Sequence, residues 1–251
     1  MTLEEFFRSN PSGALALSGG ADSAYLAWAA GHYGQNWRAY FVHSAFQPGF
    51  ELDDAKAVSA FARVPLTVIE EDILSHAEVA ENPDNRCYFC KKHIFRKIIS
   101  RAAADGYSLV IDGTNASDDA DDRPGMKALR ELSVRSPLRE CGITKAEVRE
   151  RSREAGLTTW NKPSYACLAT RIPAGTAIKA ETLQKVERGE ALVATLGFRN
   201  FRLRVRGELA LLQFQAEQMD AAFASRAELL KRLSPLFPVV SIDLMPRKRA
   251  E

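Results

Sequence analysis

The stretch LALSGGADSA, residues 15–24, decides the fold. Leu15, Ala16 and Leu17 close a short apolar run that reads as a buried strand. Ser18, Gly19 and Gly20 form a turn, and a helix is expected to begin near Asp22–Ser23. Glycines let a backbone pass close to a phosphate, and the free N–H groups and dipole of a helix start favour an anion there. The turn lies at the carboxyl end of a strand, where open α/β sheets place their ligands. It is neither a Walker A loop, which needs Gly-Lys-Ser/Thr, nor the dinucleotide pattern G-x-G-x-x-G. A tight strand-to-helix turn with a capped helix and no ligand is the competing reading.

Strands and helices alternate outward from this turn. NWRAYFVHS (36–44) reads as the next strand and LDDAKAVSAFARV (52–64) as a helix with one apolar face. PLTVIEEDIL (65–74) begins as a β-branched strand, CKKHIFRKIISRAAADG (90–106) is a helix ended by Gly106, and YSLVIDGTN (107–115) is a strand entering a polar loop. This order predicts a doubly wound parallel α/β sheet covered on both faces. ITKAEVRERSREAG (143–156) is a helix with a capping box, Thr144 facing Glu147. After WNKPSYACLATRIPAGT (160–176) the pattern changes. A helix from Glu181 to about Leu196, alternating strands in FRLRVRGELALLQFQ (201–215), another helix and a last strand, PVVSIDL (238–244), predict a small α+β domain. The expected division is 1–174 and 175–251.

Composition narrows the function. The 251 residues are 46% apolar, enough for a substantial core. A net charge of +2 from 34 basic and 32 acidic side chains gives no general case for nucleic-acid binding. The basic tail PRKRAE (246–251) reads as a solvated end. No stretch approaches the roughly 20 apolar residues that a bilayer requires. The start, MTLEEFFRSNPSG, is acidic and lacks the apolar run of a signal peptide, so the cytoplasm is the expected compartment.

In such a reducing compartment Cys87, Cys90, Cys141 and Cys167 read as metal ligands, catalytic thiols or core residues rather than disulfides. Cys87 and Cys90 form a C-x-x-C pair in RCYFCKKHIF (86–95). With distant Cys167 they could hold three corners of a [4Fe–4S] cluster and leave the fourth iron open. A structural zinc would prefer a fourth protein ligand; there is no second C-x-x-C, and His93 reads as a helix-surface residue. Buried inert thiols remain an alternative. Cys141 lies outside the pattern.

The string S-G-G-x-D-S resembles the PP-loop of ATP pyrophosphatases, whose fold is of the adenine nucleotide alpha hydrolase-like type. The resemblance implies cleavage of ATP between its α and β phosphates, adenylylation of a substrate oxygen and release of pyrophosphate. Asp22 would help to hold Mg²⁺, and Ser18, Gly19, Gly20 and Ser23 would cradle the pyrophosphate. His43 and Ser44 fall where such proteins contact adenosine, although a generic strand end explains them equally.

Further stretches extend the likeness over nearly the whole chain: NRCYFCKKHIF, DGTNASDDADDRPG, SPLRECGITKAEVRERSREAGL, WNKPSYACLATRIP and GFRNFRLRVRGELALLQF. Together they resemble the LarE-type ATP-dependent sulfur transferases, and KPSYACLATRIP (162–173) is the most discriminating. The resemblance implies sulfur insertion into pyridinium-3,5-biscarboxylic acid mononucleotide, the precursor of the nickel-pincer nucleotide, by a homo-oligomeric enzyme. One branch of that family sacrifices the sulfur of the cysteine at the Cys167 position. Members with both further cysteines resemble cluster enzymes, and this chain has both, with Cys87, Cys90 and Cys167 as the ligands. Asp118 or Asp119 would face the nucleotide. Thr170, Arg171, Arg202 and Arg204 would bind the substrate phosphate, with Glu190 supporting them, in a C-terminal domain that contributes to substrate binding. On strand alternation Arg202, Arg204 and Arg206 share a face, which a solvated strand also explains. Serine is common where Thr170 stands, and the hydroxyl is kept. Arg123–Gly125 belongs to the family pattern without a physical role. The competing functions are thiolation or desulfuration of tRNA or another nucleotide by a PP-loop enzyme, and a catalytically silent nucleotide-binding protein.

Overall fold

The computed structural model describes residues 1–118 and 124–247; Asp119 and Arg123 lie outside them. In chain order the elements are α1 (Leu3–Ser9), β1 (Ser12–Ala16), α2 (Ala21–Tyr33), β2 (Asn36–His43), α3 (Gly49–Ala62), β3 (Leu66–Glu70), α4 (Ala77–Ala80) and α5 (Arg86–Ala104). There follow β4 (Val110–Ile111), α6 (Pro124–Glu131), α7 (Pro137–Glu140), α8 (Lys145–Glu154), α9 (Ala180–Ala194), β5 (Arg202–Arg206), β6 (Leu209–Gln213), α10 (Met219–Ala224), α11 (Arg226–Leu233) and β7 (Val239–Ile242). The chain forms two compact units. One is Met1–Ile73 with Asn85–Lys162, and the other is Leu74–Asp84 with Pro163–Glu251.

The first unit is α/β, with a four-stranded, all-parallel sheet in the order β3-β2-β1-β4. Successive residues of β1 and β2 serve opposite faces, so both strands read as nearly continuous apolar runs. Leu15, Ala39 and Phe41 join Phe6, Phe7, Leu26, Val58, Leu138 and Val148 in one core. Ala14, Tyr40 and Val42 join Phe95, Ile98, Met126 and Leu129 in the other. The helices α2 and α3 meet at Gly31, where an added Cβ would lie 1.9 Å from the Ala62 carbonyl oxygen. β4 has only two residues, yet its neighbourhood is extended by an isolated bridge from Ile111 to Arg135.

The expected start of the fifth helix at Cys90 is corrected to Arg86. The pair Cys87 and Cys90 therefore stands at the start of the helix, three residues apart and on one face. No helix of the described residues is long and apolar enough to cross a membrane.

The second unit carries a three-stranded sheet, β5-β6-β7. β5 and β6 form an antiparallel hairpin whose turn contains Gly207 at φ +59°, and β7 runs parallel to β6. α9 approaches β5 at Gly189, where a Cβ would lie 2.7 Å from a Leu203 methyl. The strip Leu74–Asp84 is bonded into this unit. Ile178 N–H donates to Ala80 O at 2.7 Å, Gly175 N–H donates to Asn82 O at 2.8 Å, and Asn82 Nδ2 donates to Pro173 O at 2.8 Å.

Candidate active site

The turn after β1 follows the local logic of its sequence. Gly19 adopts φ +74°, and a Cβ there would also approach the Glu51 carbonyl oxygen to 2.7 Å. Gly20 is the N-cap of α2 and provides no side-chain cap, so the first-turn N–H groups have no side-chain partner from that position. Ser23 Oγ accepts from Ser18 N–H at 3.1 Å, pairs with Ser18 Oγ at 3.0 Å and reaches Gly20 O at 3.2 Å. Two hydroxyls and a helix start thus converge on one small concavity, an arrangement suited to a phosphate.

Strand order explains what joins it. β4 lies beside β1, so the segment after Ile111 arrives next to the turn after Ala16. Gly113 packs against the start of α2, where a Cβ would stand 2.8 Å from Ser23 N. Asp112 is buried and accepts from Thr114 Oγ1 at 2.5 Å and Ser136 Oγ at 2.6 Å. Asp22 accepts from Lys145 Nζ at 2.5 Å and Asn115 Nδ2 at 3.3 Å. Asn115 N–H in turn donates to Asp118 Oδ2 at 3.0 Å.

These residues open on a cavity of about 530 Å³ within the first unit. Ser18, Gly20, Asp22, Ser23, Asp112 and Asp118 supply its polar wall, while Tyr40, Val42, Ile94, Phe95 and Met126 supply an apolar one. The size and the split character suit a nucleotide-sized ligand. Cys87 lines the same cavity, with Lys91 one helical turn further along α5. Of the residues expected around ATP, His43 is set elsewhere: its Nδ1 pairs with Glu70 Oε2 at 2.9 Å, and it is not among the lining residues. Ser44 Oγ donates to Gln47 Oε1 at 2.7 Å.

Four carboxylates, Asp22, Glu51, Asp112 and Asp118, line the cavity, and carboxylate oxygens are the donors that a hard divalent cation takes. For a soft metal, Cys87 is exposed and Cys90 half-buried on one helix face, and they fit as a thiolate pair. Among the described residues, no three His, Cys, Asp or Glu side chains form a group that could hold a metal ion.

The second unit holds the other expected residues. Cys167, half-buried, precedes a 3₁₀ turn from Leu168 to Arg171 and accepts at its carbonyl from Thr170 N at 3.0 Å and Thr170 Oγ1 at 2.8 Å. Arg171 is fully buried. Its Nε and Nη2 donate to the two oxygens of Glu190 at 2.8 and 3.1 Å, and its Nη1 donates to Ala166 O at 2.8 Å and Thr170 Oγ1 at 2.9 Å. Glu190 also accepts from Tyr165 OH at 2.6 Å and Leu203 N–H at 3.0 Å. Burial raises the Tyr165 phenol, with the Glu190 charge adding to it. Arg202 is buried, donates to Phe201 O and Ser164 O, and is pushed down to about 10 by burial and the neighbouring Arg171 and Arg247 charges. Arg204 donates to Gln213 Oε1 at 2.6 Å and Thr170 O at 2.8 Å, whereas Arg206 is exposed. The three arginines thus grade from buried to exposed along β5.

No family model matches the chain. The uncharacterized protein slr1717 of Synechocystis is 38% identical over 219 residues, 87% of this chain and 82% of that protein. The chain belongs to the same family as slr1717. A second homologue, from Lactiplantibacillus plantarum, is named pyridinium-3,5-bisthiocarboxylic acid mononucleotide synthase; it is 29% identical over 92% of this chain and 84% of its own length. The uncharacterized protein MJ0830 of Methanocaldococcus jannaschii is 27% identical over 96% and 92% of the two chains.

In this slr1717 family member, several residues that line or support the cavity carry no expectation from sequence. Asp112 and Lys145 lie inside the stretches DGTNASDDADDRPG and SPLRECGITKAEVRERSREAGL but carry no expected role; strand adjacency brings the first to the cavity, and the α8 capping box places the second beside Asp22. Lys91 carried a usable signal: it lies four residues after Cys87 and so shares its helix face.

Proposed function

We propose that the chain is an ATP-dependent sulfur transferase of PP-loop type acting on pyridinium-3,5-biscarboxylic acid mononucleotide. The observation that carries this reading is the cavity on whose wall the Cys87 thiol and the Ser18–Ser23 phosphate turn stand together. The printed name of the Lactiplantibacillus homologue supports the substrate class.

In this mechanism a substrate carboxylate oxygen attacks the α-phosphorus of ATP, and the bond to the β,γ-diphosphate breaks with pyrophosphate leaving. Ser18, Gly20 and Ser23 receive the charge of the leaving group through N–H and O–H donors, and the dipole of α2 adds to them. Asp22 and Asp118 would hold Mg²⁺, whose charge offsets that of the polyphosphate. A sulfur nucleophile then attacks the acyl-adenylate carbonyl; the thiocarboxylate forms and AMP leaves. By the family resemblance that sulfur would come from a [4Fe–4S] cluster, for which Cys87 and Cys90 on one face of α5 would be two of the ligands. Arg202 and Arg204, with Thr170, would bind the phosphate of the substrate, and the Arg171–Glu190 pair would hold their strand and turn in place.

Pyrophosphate release from Mg·ATP and the pyridinium dicarboxylate tests the first half, and Asp22→Ala is expected to abolish it. Retained release in that variant counts against the assignment of the turn. Iron and acid-labile sulfide analysis of anaerobically prepared protein tests the second half. A colourless preparation that loses one sulfur mass from Cys167 on turnover would instead establish Cys167 as a sacrificed donor.

A further inference from the structure

Lys162 is the last residue of the first unit, and its ammonium reaches the phosphate turn from outside the cavity. Its Nζ donates to the Gly19 carbonyl oxygen at 2.8 Å and pairs with Asp54 Oδ2 at 2.5 Å, 5.3 Å from the centre of the Phe50 ring. The side chain is only 18% exposed, so the pair is shielded more than a surface ion pair. Its backbone is fixed as well. Lys162 N–H donates to Thr159 O at 3.0 Å, and Lys162 O and Trp160 O accept from the two ends of the Arg149 guanidinium at 3.1 and 2.9 Å. Pro163 follows, and Lys162 holds φ −59°, ψ 125°, the extended geometry that a residue before proline prefers.

A trans peptide plane points its C=O and N–H in opposite directions. Fastening the Gly19 carbonyl to Lys162 therefore fixes the Gly20 N–H toward the other side, where Gly20 lines the cavity. Among the described residues that N–H has only a long contact, 3.5 Å to Ser18 Oγ, beyond the usual hydrogen-bond range. Gly19 has no Cβ and sits at φ +74°, so its peptide has the freedom to rotate unless something holds it.

We propose that Lys162 is a positioning residue for polyphosphate binding: by holding the Gly19 carbonyl it presents the Gly20 N–H to the anion, and Asp54 holds Lys162 in turn. This rests on the ATP reading of the cavity and adds a residue that acts from behind the loop.

The test uses full-length protein labelled with ¹⁵N-glycine, with inorganic pyrophosphate and Mg·α,β-methylene-ATP as probes, read by calorimetry and by the Gly20 amide resonance. Lys162→Met is expected to weaken both ligands about tenfold, as for loss of a charge-assisted hydrogen bond, and to shift the Gly20 amide in ligand-free protein. Lys162→Arg should recover most of both effects. Unchanged affinity in Lys162→Met overturns the proposal. So does weakened affinity with an unmoved Gly20 amide, because that pattern marks direct contact between Lys162 and phosphate. Should Lys162→Met fold poorly, Asp54→Asn keeps the lysine, frees it from its anchor, and is expected to show the same two changes at smaller size. If wild-type protein binds neither probe, the nucleotide reading fails; the ligand-free Gly20 comparison still decides whether Lys162 sets that peptide.

Discussion

Replacing Arg171 with methionine removes one half of a buried ion pair and leaves the other in place. The guanidinium is 0% exposed and makes two bonds to Glu190 and three to the Ala166–Thr170 turn; Glu190 is 9% exposed. Without Arg171 the Glu190 charge keeps the Leu203 N–H and the Tyr165 hydroxyl but no bonded cation. Stranding a buried charge in this way costs about 3–5 kcal/mol. Exchange of the β5–β6 amides through opening of the second unit should then accelerate by about two to four powers of ten. Glu190→Leu, which strands the arginine, should cost a similar amount. The double variant Arg171→Met/Glu190→Leu removes both charges and leaves two neutral donors unmet, for about 1–3 kcal/mol each at most. It should therefore lose much less than the sum of the single variants. Peptide-level hydrogen exchange is the suitable assay, because Trp28, Trp37 and Trp160 all lie in the first unit and indole fluorescence does not report the second. The β1–β2 peptides serve as the internal reference. Single variants that accelerate exchange by less than tenfold, or a double variant equal to their sum, would refute the reasoning.

Three further outcomes follow from local geometry. Gly31→Ala should lower stability by about 1–3 kcal/mol through overpacking against Ala62, despite a helix-propensity gain of about 1 kcal/mol; the urea midpoint followed by Trp28 and Trp37 fluorescence measures it. The Thr144 N–H and hydroxyl hold the Glu147 carboxyl below its usual 4.5. A carboxylate with a depressed value stabilises the fold above its unfolded pKa and ceases to as pH falls through the folded one, so exchange at the first turn of α8 should quicken below 4.5 and Glu147→Gln should flatten that response. Burial pushes the Cys141 thiol up, so near neutral pH iodoacetamide should modify it more slowly than exposed Cys87, and peptide mass spectrometry that found equal rates would contradict this.

The parallel sheet was legible because its signals are local. An apolar run, a glycine turn and a helix with one buried face are each visible within about fifteen residues. The capping box at Thr144–Glu147 was read for the same reason and is present in full. The start of α5 lies four residues earlier than expected, at Arg86; Asn85 before it is a residue type that favours an N-cap, although its side chain makes no capping bond. At the site, the turn itself could be read, but its partners could not. Lys145, Asp112 and Lys162 are separated from Asp22 and Gly19 by most of a domain, and only strand adjacency and the course of the chain bring them in. The roles expected for Arg202 and Arg204 rest on the family resemblance; alternation puts them on one face, whereas their anchors, the Ser164 and Phe201 carbonyls for Arg202 and the Thr170 carbonyl for Arg204, come from the course of the chain.

The strip Leu74–Asp84 has a consequence for how the protein is made. It leaves the ribosome between two parts of the first unit, yet its backbone partners at Gly175 and Ile178 are synthesised roughly a hundred residues later, and β7 later still. The first unit can close once Lys162 has emerged, with the strip still waiting. Asn82 and Ala80 must then remain solvated and available throughout that interval, and a fragment beginning at Pro163 would lack them altogether. Gene shuffling or truncation at the Lys162–Pro163 junction would therefore separate sequence without separating structure.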